Sequence, residues 1–305
     1  MAKSSFLNAS NCPLRSISLP SRLHSNSHKI EAELNKAKAC KKSFLLAPLQ
    51  AKTVKDGLVR LAELYNCVED FINSPSNQQA LHQQREKLVD EALDASVAFL
   101  DTCDAARDFL STLKEYIEDI QLALRRGQYS RIESKVSAYL CFTKKMKKDF
   151  SKCLRPLKYM ERKMQSSPAL LDFDDHDMLM VVKVLGEVKM ITISVFRCLV
   201  LSLTVPEKKV KLGGWSLIAK LIHTASFPLE NDQRNNANEV ESAHDALCSL
   251  LEQFQGINAG EVDAQVAKTK LEALEMSIEG LQVGLDSMRR CLLQNRVSLL
   301  NILTN

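Results

Sequence analysis

The chain reads as an all-α protein: a bundle of long, heptad-patterned, antiparallel helices behind a disordered N-terminal arm. Three observations predict this. Glycine (9) and proline (8) are scarce among 305 residues, so few turns interrupt long elements. Aromatic residues make up only 6%, too few for a sandwich or barrel built from aromatic and β-branched strands. Apolar residues recur at alternating spacings of three and four over most of the chain, which keeps one helical face apolar.

The arm is assigned to residues 1–30 and the helical bundle, as one domain, to 31–305. Residues 1–30 hold eight serines, no acid, and the bases Lys3, Arg15, Arg22 and Lys29. Such a segment buries little apolar surface and stays disordered. Its composition is also that of an organellar transit peptide.

The first helix is expected over 48–72, where Val54, Leu58, Leu61, Tyr65, Val68 and Ile72 share a face. The run Ser74-Pro75-Ser76-Asn77 ends it and caps the next. That next helix is expected over 78–126. Its two apolar runs, Leu88 to Phe99 and Cys103 to Leu124, join across a four-residue step, a stutter. Arg125-Arg126-Gly127 stops it, with cations at the negative end and glycine where a left-handed residue is needed.

A third helix is expected over 129–164, kinked at Pro156, and a loop over 165–177. A strongly apolar helix follows over 178–205. Charges at Lys183, Glu187, Lys189 and Arg197 interrupt it, so it is a buried core helix; a membrane span needs about 20 apolar residues. A basic link (208–214), a short segment (215–222) and a polar stretch (231–238) lead to the last helix, over 262–302. There Ala264, Ala267, Leu271, Leu274, Ile278, Leu281, Leu285, Met288, Leu292, Asn295, Leu299 and Ile302 form one unbroken seam, which must face other helices to leave water. Gly280 and Gly284 lie off the seam: either they admit a close neighbour or they are tolerated at about 1 kcal/mol each.

No catalytic constellation is visible, and the sequence reads as non-enzymatic, with no cofactor and no metal. The nine cysteines are scattered without a CxxC pair, as free thiols in a reducing compartment are. Asp172, Asp174, Asp175, His176 and Asp177 fit no calcium loop and suit a helix N-terminus.

Two segments carry partner-binding chemistry. In the arm, Arg15, Ser16, Ser18 and Pro20 fit the R-S-x-S-x-P pattern read by 14-3-3 proteins once Ser18 is phosphorylated. Phosphorylation would add about −1.5 to −2 charge to a basic arm. In the third helix, Phe142, Met146, Phe150, Cys153, Leu154, Leu157, Met160 and Met164 share an arc of roughly 120°. Opposite lie Lys144, Lys145, Lys147, Lys148, Lys152, Arg155, Lys158, Arg162 and Lys163. Two readings stand: the arc packs into the bundle beneath a solvated basic face, or the helix lies on an anionic membrane or acidic partner. The bases lack interleaved aromatics and no DNA or RNA module is present, which disfavours nucleic acid.

The run Arg15-Ser16-Ile17-Ser18-Leu19-Pro20-Ser21-Arg22-Leu23-His24, the helical layout and the ending Leu299-Leu300-Asn301-Ile302 together resemble the plant BYPASS-like family. Members usually carry proline after the histidine, where Ser25 stands. The resemblance implies no enzymatic activity and a part in root and shoot development and signalling. It favours an arm that is retained, and so a cytoplasmic protein over a chloroplast one. The expectation is a helical interaction protein of plant developmental or stress signalling, regulated through its arm, with peripheral membrane docking as the alternative.

Overall fold

The computed structural model describes residues 21–46, 49–83, 85–166, 176–204, 238–254 and 261–304. Among them are eight helices and no strand: α1 (Ser21–Leu46), α2 (Ala51–Ile72), α3 (Pro75–Gln83), α4 (Arg85–Arg125), α5 (Tyr129–Ser166), α6 (His176–Ser202), α7 (Glu239–Phe254) and α8 (Glu261–Thr304). Every one contributes to a single continuous cluster of buried apolar side chains. The all-α expectation holds.

The last helix organises the bundle. Eleven of its twelve seam positions, from Ala267 to Ile302, are buried, and Ala264 is half-buried. The seam is covered from within the chain, by α2, α4 and α7. Paired residues set the directions. Asp104, Lys114 and Gln121 of α4 meet Arg289, Glu279 and Glu275 of α8, so those helices are antiparallel. Tyr65 and Glu69 of α2 meet Asn295 and Ser298, so α2 and α8 run parallel. Both glycines of α8 face α2. A Cβ on Gly284 would lie 3.2 Å from Leu58 Cβ, and one on Gly280 3.3 Å from Lys55 Cδ. Close approach is therefore their role.

The turn after α4 follows the sequence. Gly127 adopts φ 62°, its N–H bonds Leu124 O at 3.2 Å, and the Gln128 N–H bonds Ala123 O at 3.2 Å, the two bonds of a Schellman cap. The chain then reverses into α5.

The helix expected over 78–126 is described over 75–83 and 85–125, as α3 and α4, with residue 84 outside the described residues. Two helices lie where the sequence reading placed none. Helix α1 begins at Ser21, inside the segment assigned to the arm, because Ile30, Leu34, Ala37 and Phe44 give it a face that packs on α2 and α6. Phe44 seats its ring over Gly57, where a Cβ would collide with it. Helix α7 was not expected; Val240, Ala243, Leu247 and Leu250 bury one side of it. Asn238, placed in the polar stretch, caps it, accepting the Glu241 N–H at 2.8 Å. The link over 208–214, the segment over 215–222 and residues 231–237 lie outside the described residues.

Candidate functional site

Helix α5 holds eleven bases and three acids, a charge of +8 in a chain whose total is +4. Its neighbour α4 holds five bases and ten acids. The amphipathic pattern of α5 decides which side of it meets the bundle. Phe150, Leu154, Leu157 and Met160 are buried, while Phe142 and Met146 pack half-buried against the core. Phe109 of α4 pins this side, stacking on Phe142 with ring centres 5.4 Å apart and meeting Phe150 edge-on at 5.2 Å. Of the two sequence readings, the structure places the apolar arc in the bundle.

The opposite side faces water. Lys144, Lys145, Lys148, Lys152 and Arg155 are exposed, and Lys147 is half-buried. From Lys144 to Lys163 the basic line extends about 28 Å at the α-helical rise. Pro156 also sits on the exposed side, where a missing backbone N–H costs the helix least.

The two acids in this stretch are already engaged. Glu161 turns inward and binds Arg197 of α6 at 2.6 Å, both side chains mostly buried. Asp149 binds Lys152 at 2.7 Å. The hydrogen bond from Lys152, with the charges of Lys152 and Lys145, holds the Asp149 carboxyl below its ordinary range. Lys163 reaches Glu91 of α4 at 2.9 Å. Burial, then the charges of Arg197 and Arg162, push the Lys158 ammonium below its usual value. Among the described residues, none of Lys144, Lys145, Lys148 and Arg155 forms an ion pair. These four present unneutralised charge on a rigid helix, the arrangement that attracts an anionic surface.

One member of this face was not legible as such. Tyr159 is 69% exposed, one turn from Arg155, Arg162 and Lys163. A tyrosine at this spacing was readable; its exposure follows from lying on the basic side.

The other sequence candidates are placed as follows. Arg15, Ser16, Ser18 and Pro20 lie outside the described residues, as do Asp172, Asp174 and Asp175. Asp177 stands in the first turn of α6. Burial raises the thiols of Cys40, Cys67, Cys153, Cys198 and Cys291, and pushes Cys103 up to about 12, which keeps them protonated at neutral pH. A groove of about 240 Å³ between α1 and α6 carries Glu31, Lys38, Lys183 and Glu187, and the Lys38–Glu187 ion pair at 2.8 Å draws its two walls together. Among the described residues, no helix is long and apolar enough to cross a membrane, and no cluster of His, Cys, Asp or Glu could hold a metal ion.

No curated protein and no solved structure matches the chain. The family model of Protein BPS1 matches residues 57–302, from within α2 nearly to the end of α8, and stops short of the arm and α1. A match over most of the chain shows that this protein belongs to the BPS1 family, the BYPASS-like group its sequence resembles, and membership implies a role in plant development.

Proposed function

We propose that this chain is a non-enzymatic helical interaction protein of plant signalling, acting in root and shoot development or in stress, and that the outer face of α5 docks an acidic partner. One observation carries the reading: Lys144, Lys145, Lys148 and Arg155 stand exposed and unpaired, while the apolar arc beneath them belongs to the core. A fold needs the arc; it does not need nine bases in twenty residues. In this proposal the arm regulates the protein. Phosphorylated Ser18, with Arg15, offers a 14-3-3 protein a charge-assisted contact, and the arm is retained in a cytoplasmic protein.

Proximity labelling in plant cells tests both parts. Lys148→Glu/Arg155→Glu should lose partners that the wild type labels, and Ser18→Ala should lose 14-3-3 proteins. An unchanged set of labelled proteins in both variants would sink the reading.

The exposure of Tyr159 among bases favours a second reading, peripheral docking on an anionic membrane. An aromatic ring suits the headgroup level, whereas the buried arc has nothing left to insert. Adhesion would then be electrostatic, about 1 kcal/mol per base, and released by salt. Sedimentation with phosphatidylserine vesicles at low and high salt distinguishes it: no lipid-dependent pelleting at low salt rejects this second reading.

A further inference from the structure

We infer that the outward face of α8 is a self-association surface, on which a second copy of this chain docks with its α8 antiparallel to the first. The inference is independent of the α5 reading. Ten large hydrophobic residues are exposed among the described residues, and six of them lie on α8. Three form a line at heptad spacing: Met276 (69% exposed), Val283 (65%) and Val297 (49%), with Arg290 at the remaining position. Three residues beyond Arg290 and Val297 stand Leu293 and Leu300, also exposed. Each residue of the line falls about 180° from the buried seam, at 100° per residue. Helix α8 therefore carries two apolar stripes, one covered by α2, α4 and α7, the other facing water. A regular stripe of this kind is uncommon on a surface that meets only solvent.

The charges of α8 identify the occupant. Residues 261–286 carry six acids and two bases, and residues 287–304 carry three bases and no acid. Arg289 and Arg296 of the basic half turn to α4, so Arg290 carries the outward positive charge. An antiparallel copy sets it against the acidic half, whereas a parallel copy would set it beside its own kind. One register satisfies the apolar residues as well. Met276 fits as a knob into the hole formed by Leu293, Arg296, Val297 and Leu300 of the second copy, residues spaced i, i+3, i+4 and i+7. That register brings Val283 opposite Arg290 of the second copy and runs the twofold axis between Asp286 and Ser287.

Arg290 makes no ion pair among the described residues. In the dimer it comes within reach of Asp286 and Glu279 of the second copy. Those carboxylates already hold Arg107 and Lys114 of their own α4, each at 2.8 Å, and keep lone pairs free for a further donor. The charge alternates across the axis, which fixes both direction and register.

Sedimentation velocity of the full chain over a concentration series tests the proposal. The mass should rise from 34.2 kDa at high dilution to about twice that value. Val283→Lys and Arg290→Glu should each hold the protein at 34.2 kDa with an unchanged helical melting curve, since both side chains point away from the core. Glu279→Lys/Arg290→Glu should restore association over Arg290→Glu alone, because it reverses one of the two pairs that residue 290 makes with the second copy. A wild type that stays monomeric at every concentration overturns the proposal, as does a dimer that Val283→Lys and Arg290→Glu leave intact. Failure of the double exchange to restore association, in a folded protein, overturns the antiparallel register and the proposal with it.

Discussion

The side-chain amide of Asn295 on α8 donates to the backbone carbonyl of Tyr65 on α2 at 2.9 Å. Tyr65 extends the link to α6, where its hydroxyl meets Thr192 Oγ1 at 3.1 Å. Thr192 donates its own proton to Val188 O at 2.8 Å, so Tyr65 is the donor between the two hydroxyls. The polar member of the α8 seam thus fixes the register of the helix against α2. The Asn295 Oδ1 is buried without a partner, which offsets part of what the amide bond contributes. Asn295→Leu removes both terms and should change stability by no more than about 1 kcal/mol. Asn295→Asp places a carboxylate beside two carbonyl oxygens, those of Tyr65 and Cys291, and should cost roughly 2–4 kcal/mol at neutral pH. Urea midpoints of the two variants check this order.

The glycines of α8 make a sharper comparison, because their neighbours differ in what they can yield. Next to Gly280 stands the flexible end of Lys55, which swings aside. Gly280→Ala should therefore gain the helix propensity of alanine, up to about 1 kcal/mol. Next to Gly284 stand Leu58 Cβ, fixed to its backbone, and the Lys55 carbonyl. Gly284→Ala should destabilise by about 1–3 kcal/mol despite the same propensity gain. Opposite signs from two alanines four residues apart are the expected result of thermal melts.

A cap supplied from far along the chain holds the start of α2. Gln50 provides no side-chain cap, and the Ala51 N–H bonds Glu239 Oε2 of α7 at 2.9 Å. The carboxylate also meets the positive end of the α2 dipole. Glu239→Ala should cost about 1 kcal/mol, and Glu239→Gln, which keeps an acceptor and loses the charge, a smaller amount. Hydrogen exchange should rise first at the N-terminus of α2 in both.

Alkaline pH should weaken the fold through its buried thiols. Burial raises Cys103 from 9.0 to about 12 and Cys198 from 9.0 to about 11. A folded pKa above the unfolded one contributes stability that is complete below the unfolded value and is lost as pH rises through the folded value. The window therefore opens near pH 9. By about pH 10 each thiol should subtract roughly 1 kcal/mol, read as a falling urea midpoint that Cys103→Ala makes less steep.

The fold was legible wherever a long helix buries one stripe. The α8 seam and the α2 face are periodic because packing demands it, and the Schellman glycine was visible in Arg125-Arg126-Gly127. Helix α7 carries a local signal: Asn238 followed three residues later by Glu241, a capping pattern, with Val240, Ala243, Leu247 and Leu250 on one face. Helix α1 was obscured by its serines, since only Ile30, Leu34, Ala37 and Phe44 reveal a packed face. Sequence could not show that Glu239 caps α2, 188 residues away, or that Glu161 turns inward to Arg197, because both depend on how the helices cross. The basic residues of α5 were all readable. Which of its two sides met the bundle became clear only from Phe109 and its two ring contacts.

The central claim is that the unpaired bases of α5 serve a partner and contribute nothing to the fold, and stability measures this without knowledge of the partner. Lys148 and Arg155 have like-charged neighbours one turn away, Lys144, Lys145, Lys152 and Lys158, and such pairs cost about 0.2–0.5 kcal/mol each. Lys148→Glu/Arg155→Glu turns those repulsions into attractions. The urea midpoint of the full chain should rise, by an amount equivalent to about 1 kcal/mol. A midpoint that falls would mean the bases hold the bundle together, and would contradict the account.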